Sequence, residues 1–360
     1  MPLWLIMFSG RAAVPTILSG PVWHVHEMVF GFGAATVAGF LLTAIPNWTG
    51  RMPLQGWPLA ILVVVWCAGR AAVFCSQQLG PVAAALIDLA FPIVFLAVVA
   101  REITAGRNWR NLPMLAALTL LLIASLLVHV EAIVDAPTAE LGNRLGVSTL
   151  LMLINLVGGR IIPSFTGNWL VKQRPDVCPP GAFGSFDRLA LVLTGLALLA
   201  WTVVPDAPAG AWVELAASVA VGVRLARWRG WATWREPLLW ILHLGYGWLA
   251  LGLLLLGLSS LWPAIPQTTA LHALTAGAIG TMTLAVMTRA SLGHTGQPLT
   301  AGPATTAAYL FVTIATVLRL LAPLAGDDYL AALGVAGGAW TAAFALFVIA
   351  YARPLMTPRS

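Results

Sequence analysis

The chain has 360 residues, 59% of them hydrophobic and only 9% charged, with a formal net charge of +6 and a mean hydropathy of +0.89. So little polar surface cannot wrap a water-soluble domain of this size, which excludes a soluble enzyme and leaves an integral membrane protein. The excess of Lys and Arg falls at helix ends, where it reports orientation in a bilayer and not nucleic-acid binding.

A membrane-crossing helix needs about 20 mostly apolar residues. The first stretch, Pro2–Ser9, is too short to cross and has no basic leader of a signal peptide; it reads as the last turns of a truncated first helix. Eleven full spans then follow, near residues 24–45, 57–76, 81–100, 112–130, 142–162, 188–205, 212–226, 237–258, 269–289, 304–322 and 330–352. The fold class is therefore all-α, a polytopic integral membrane helix bundle. The longest polar connection, Gln173–Asp187, is a loop rich in Pro and Gly and carries no separate domain.

Threading these spans alternately places 15 of the 19 basic residues on one side, from Arg51 through the run Arg224–Arg235 to Arg359, and leaves Arg11, Arg70, Arg144 and Arg319 on the other. The second side also collects acidic residues, among them Glu27, Glu131 and Asp206. The basic side is then cytoplasmic, and the run Arg224–Arg235 reads as a topology signal.

Three of the apolar segments end in a Thr-Gly pair, at Thr49-Gly50, Thr166-Gly167 and Thr295-Gly296, and the residues 23 positions upstream are His26, Asn143 and His272. Copies of one pattern signal an internal repeat. The expected organisation is a single transmembrane domain over 1–360, with three four-helix repeats of roughly 1–110, 111–235 and 236–360.

With the topology fixed, His24, His26, His129 and His272 lie near the outer face, His243 near the cytoplasmic end of its helix, and His294 beyond the tenth span. Residues 272 and 294 are separated by about 33 Å along a continuous helix, so one metal centre cannot hold both. Polar groups inside a bilayer are costly and each is a functional candidate. His26 and His272 occupy equivalent levels of related helices, and two imidazoles flanking an apolar gap suit axial ligation of haem iron. Gly31 and Gly277, each five residues further on, either let a flat macrocycle approach the backbone or serve close helix packing. Asn143 in the middle copy points to a two-ligand centre and not a three-fold one.

His24 and His26 are about 200° apart on a continuous helix and face one ligand only if the helix starts between them. With such a start, His24 could join His129, Glu27 or Glu131 around copper or zinc; the plainer reading is a set of solvated interfacial residues. Asp88, the one carboxylate well inside a span, is either on a proton path or satisfied by a neighbouring helix. His243 reads as a structural histidine, and Arg160 and Arg289, each six residues before a Thr-Gly pair, as membrane anchors or loop clamps. Cys67, Cys75 and Cys178 form neither a CxxC pair nor a disulfide framework. Walker, GxSxG, HExxH and dinucleotide motifs do not occur, so cofactor-borne chemistry is the main enzymatic option.

The residues His24-Val25-His26-Glu27-Met28-Val29-Phe30-Gly31-Phe32-Gly33, running on to Pro46-Asn47-Trp48-Thr49-Gly50, resemble the signature of the NnrS family. So do His272-Ala273-Leu274-Thr275-Ala276-Gly277 and the later Arg289-Ala290-Ser291-Leu292-Gly293-His294-Thr295-Gly296. The resemblance spans nearly the whole chain. It implies a bacterial inner-membrane protein with twelve helices, containing haem and copper and associated with denitrification and tolerance of nitric oxide. A fainter similarity, of architecture, is to the catalytic subunit of haem-copper oxidases and nitric oxide reductases. There the second and tenth helices hold a bis-histidine haem, and only His26 and His272 carry over. The oxidases' three-histidine copper site has no counterpart here, which argues against an oxygen-reducing pump.

The expected function is thus a haem- and copper-binding membrane protein of the nitric oxide response. His26 and His272 ligate iron, and His24, His129 and Glu27 stand near a second metal. Its partners are the lipid bilayer, nitric oxide or a related small molecule, and an electron donor that the sequence does not identify. Two other classes stay open. One is a transporter or delivery protein for copper or haem, using a polar path from the outer cluster through Asp88 to His243 and His294. The other is a haem sensor without turnover.

Overall fold

A computed structural model describes residues 1–205 and 207–357; the expected positions of Asp206 and Arg359 lie outside the described residues. Among the described residues there are helices and turns but no strand. We number twelve helices: α1 (Pro2–Phe8), α2 (Gly20–Thr49), α3 (Trp57–Phe74), α4 (Pro81–Ala105), α5 (Leu112–Val134), α6 (Ala139–Gln173), α7 (Ser185–Val203), α8 (Pro208–Ala226), α9 (Pro237–Leu261), α10 (Gln267–His294), α11 (Pro303–Leu321) and α12 (Tyr329–Met356). Each of the eleven expected spans falls on one of α2 to α12; with α11 and α12 counted as the single stretch Pro303–Met356, the described residues hold ten helices long and apolar enough to cross a membrane. The chain is a multi-pass membrane protein with an all-α bundle fold. Helices α11 and α12 follow each other through one tight turn, which breaks at Gly326, a residue with φ of 53°.

Local chemistry explains where the helices start. Pro21, Pro58, Pro81, Pro113, Pro208, Pro237 and Pro303 all occupy the first or second helical position. There a missing N–H costs nothing and the fixed φ favours the helix. Two of the Thr-Gly pairs end their helices through a left-handed glycine, Gly50 at φ of 70° and Gly296 at φ of 69°. The middle pair differs. Thr166-Gly167 sits inside α6, which continues to Gln173, so the apolar run stops there but the helix does not.

Three helices widen into π-helical turns, at Glu27–Gly33 in α2, Ile154–Gly158 in α6 and Ala273–Gly280 in α10. Such turns free backbone carbonyls and re-aim side chains, and they gather at functional sites. The first begins at the residue after His26 and the third at the residue after His272. In the middle helix the widened turn lies eleven residues beyond Asn143, a difference the 23-residue spacing does not reveal.

Contacts divide the chain into two compact units. One runs from Ile6 to Leu150; the other joins Met1–Leu5 to the residues from Leu151 onward. In the first unit, α3 packs on α4 and α4 on α5. In the second, α11 packs on α12, and α9 packs on α8 and α10. The interior of the second unit includes Leu242, Tyr246, Leu249, Leu253, Leu284 and Tyr309, all fully buried.

Candidate metal centre

The first unit brings His26, Asp88 and His129 together from α2, α4 and α5. One donor atom from each lies within 4.8 Å of the other two, and all three residues are buried. His129 Nε2 is 2.9 Å from Asp88 Oδ2, and His26 Nε2 is 3.3 Å from the same oxygen. The two imidazoles meet edge to face at 5.3 Å between centroids, with Phe30 tilted against His26 at 5.2 Å. Arg70 of α3 completes the cluster. It donates through Nη2 to Asp88 Oδ1 and through Nη1 to Glu27 Oε1 at 2.7 Å.

Two glycines make room for this ion pair. A Cβ at Gly69 would stand 2.9 Å from Asp88 Oδ1 and 3.2 Å from Asp88 Cα, so α3 and α4 approach where Asp88 turns inward. One at Gly31 would stand 2.9 Å from Arg70 Nη1. The widened turn after His26 contributes as well, since its Gly31 carbonyl accepts a hydrogen bond from Trp66 Nε1 at 3.1 Å. A cavity of about 610 Å³ lies between the start of α2 and the end of α5, lined by Leu18, Val22, Val128, Glu131 and Asp135 among others; none of His26, Asp88 and His129 lines it.

His26 is the unusual member. It is fully buried, yet neither ring nitrogen makes a hydrogen bond of proper geometry; its Nδ1 is 3.5 Å from Glu27 Oε1. Buried polar groups are nearly always paired, and each exception calls for an explanation such as an ion or ligand. Two imidazoles and a carboxylate are a donor set that suits copper or zinc, so the residues present fit a metal ion.

The other expected site residues are placed as follows. Helix α2 begins at Gly20, ahead of both histidines and not between them, so His24 is turned about 200° from His26. The donors gathered around His129 are therefore His26 and Asp88. Glu27 is held by Arg70, and Glu131 accepts from the Ala139 backbone N–H at 2.8 Å. Asn143, on α6, has a buried Oδ1 without a hydrogen-bond partner.

In the second unit, His272 donates from Nδ1 to the Thr268 carbonyl oxygen at 2.7 Å. A carbonyl can only accept, so the proton is on Nδ1 and Nε2 keeps its lone pair. The faces of the two expected cradle glycines are covered: Gly277 by Trp248, whose Cγ would be 2.8 Å from an added Cβ, and Gly31 by Arg70 and Glu27. His243 is buried and its Nε2 is 2.9 Å from Thr166 Oγ1, which gives the middle Thr-Gly pair a structural task. Arg289 lays its guanidinium over the Phe165 ring at 3.9 Å, while His294 and Arg160 are exposed.

Two arginines belong to clusters that the sequence reading did not assign to them. Arg70, expected among the few basic residues of the outer side, is the centre of the ion-pair cluster. Arg224, expected to be a topology signal, is fully buried. It donates from Nε to Asp187 Oδ1 at 2.9 Å, and from Nη1 to Asn155 Oδ1 at 2.9 Å and Tyr246 Oη at 3.0 Å. In the first cluster the sequence pointed to His26 by its spacing, to His129 by its level and to Asp88 as the one acid well inside a span, but not to Arg70; the second cluster had no such signal.

A search of curated proteins finds no match for this chain. The family model described as NnrS protein matches residues 1–359, essentially the full length, and the chain accordingly belongs to the NnrS family.

Proposed function

We propose that this chain is a copper- and haem-binding protein of the bacterial inner membrane that acts in the nitric oxide response, with copper held by His26, His129 and Asp88. One observation carries the reading: a fully buried imidazole, His26, lies 3.3 Å from the Asp88 carboxylate and beside a second imidazole, yet neither of its ring nitrogens makes a hydrogen bond of proper geometry. Leaving such a group unsatisfied costs about 1–3 kcal/mol, a cost that a bound metal ion removes. Membership of the NnrS family supports the nitric oxide context; an association with denitrification is part of the same proposal.

Copper, when bound, supplies one-electron chemistry and an affinity for small diatomic ligands. The chain's residues do the rest. Arg70 fixes one oxygen of Asp88 and leaves the other toward the imidazoles, and α2, α4 and α5 exclude water around His26. Haem is the second cofactor we propose, and His272 is the residue that would hold its iron, because its Nδ1–H is committed to Thr268 and its Nε2 lone pair is left for a metal. His26 is common to the two expected ligand sets.

The test is metal content and visible spectra of protein purified after expression with ample haem and copper, for wild type and for His26→Ala, His129→Ala and His272→Ala. Copper is expected to fall to background in the first two variants and to persist in the third, while haem absorption bands change in His272→Ala. Full copper in His26→Ala would refute the copper assignment. Unchanged haem bands in His272→Ala would refute the iron ligand.

A further inference from the structure

Two carboxylates and one guanidinium share the buried site around His26. Asp88 and Glu27 contribute one negative charge each, Arg70 contributes one positive charge to both, and the imidazoles of His26 and His129 are neutral when they act as ligands. The donor set thus carries a net charge of −1. Asp88 and His26 are shielded from water, and the Arg70 and Glu27 side chains are only 17% and 23% exposed, so solvent does little to compensate an imbalance. A buried charge is tolerated when it is paired, and an unbalanced one is strongly disfavoured.

We propose that Arg70 sets the charge of this site and so makes it selective for a monovalent metal ion, Cu(I), over divalent ions; the inference rests on the copper reading of the same cluster. A monovalent ion brings the buried assembly to neutrality, and a divalent ion leaves one uncompensated positive charge beside the guanidinium. The ligand chemistry agrees. Two imidazoles suffice for a low-coordinate Cu(I) ion, whereas Zn(II) asks for four donors, and here one Asp88 oxygen is already occupied by Arg70. Arg70 is a selectivity residue that need not touch the metal: it acts by pairing the carboxylates, from a position fixed by the close approach of Gly69 and Gly31.

The charge count can be tested by changing it stepwise in the full-length protein in detergent. Binding of Ag(I), a redox-inert monovalent probe, is compared with binding of Zn(II) by competition titration. Wild type is expected to bind one Ag(I) and to prefer it over Zn(II). Arg70→Gln takes the site to −2 and is expected to raise the relative affinity for Zn(II) by about a hundredfold, the scale of one unit charge acting over a few ångströms in a partly buried site. Arg70→Lys keeps the charge and keeps the preference. The double variant Glu27→Gln/Arg70→Gln returns the site to −1, and with it the wild-type preference, although the ion pair is gone; this separates charge from folding or local geometry. Wild type binding Zn(II) as well as Ag(I), or a double variant behaving like Arg70→Gln, would overturn the proposal. Failure of the copper reading itself looks different: wild type then binds neither ion better than His26→Ala does.

Discussion

Two interior arginine–carboxylate pairs, one partly and one fully buried, stand against widened helical turns, and they differ in what surrounds them. Arg70 with Asp88 and Glu27 adjoins Glu27–Gly33, and across it are two imidazoles, one of which makes no hydrogen bond of proper geometry. Arg224 with Asp187 adjoins Ile154–Gly158, and across it are an amide and a phenol, with Tyr246 Oη donating to Asn155 Oδ1 at 2.5 Å and the Trp228 ring beneath the guanidinium. Amide, phenol and guanidinium are poor partners for a metal ion; imidazole and carboxylate are good ones. The ion pair is common scaffolding, and the groups facing it decide between a clamp and a metal centre.

The sharpest way to break this comparison is to remove each arginine and measure unfolding in detergent. Arg224→Ala leaves Asp187 buried without its main partner and is expected to lower stability by about 3–5 kcal/mol. Arg70→Gln, whose side chain is partly exposed, is expected to cost less and to act mainly on metal binding. Equal losses in the two variants would show that the first cluster is a structural clamp like the second.

A smaller effect separates the glycines that admit the two arginines. A Cβ at Gly159 would lie 2.3–2.7 Å from three guanidinium atoms of Arg224, which is fully buried and cannot retreat, so Gly159→Ala is expected to cost about 1–3 kcal/mol. The corresponding contact at Gly31 is 2.9 Å from the end of the Arg70 side chain, which has room to give, and Gly31→Ala should cost less in the same unfolding assay. The smallest effect belongs to an exposed pair. Arg51 bonds Glu102 at 2.5 Å near the surface, and Arg51→Ala should change stability by about 0–1 kcal/mol.

The helices were legible because an apolar run of span length has one outcome in a bilayer, and the prolines mark where most begin. His26 was legible from its spacing to Thr49, and Asp88 from its depth within a span. Arg70 and Arg224 were not. An arginine near a helix end has the same local sequence whether it is solvated or buried, and the partners that decide it, Glu27 and Asp88 for one and Asp187 and Asn155 for the other, lie 18 to 69 residues away. The widened turns were equally hidden, since an extra residue in a helical turn leaves no mark in composition or in a 23-residue spacing. That is why the sequence grouped His129 with His24 and Glu27, while the helix start at Gly20 pairs it with His26 and Asp88.

The claim that His26 and His129 jointly hold a copper ion is tested most directly by X-ray absorption at the copper edge on copper-loaded protein, comparing wild type with His129→Ala. Two imidazole ligands are expected in wild type and one in the variant. An imidazole signal that is unchanged in His129→Ala, or a wild-type protein that retains no copper, would contradict the account.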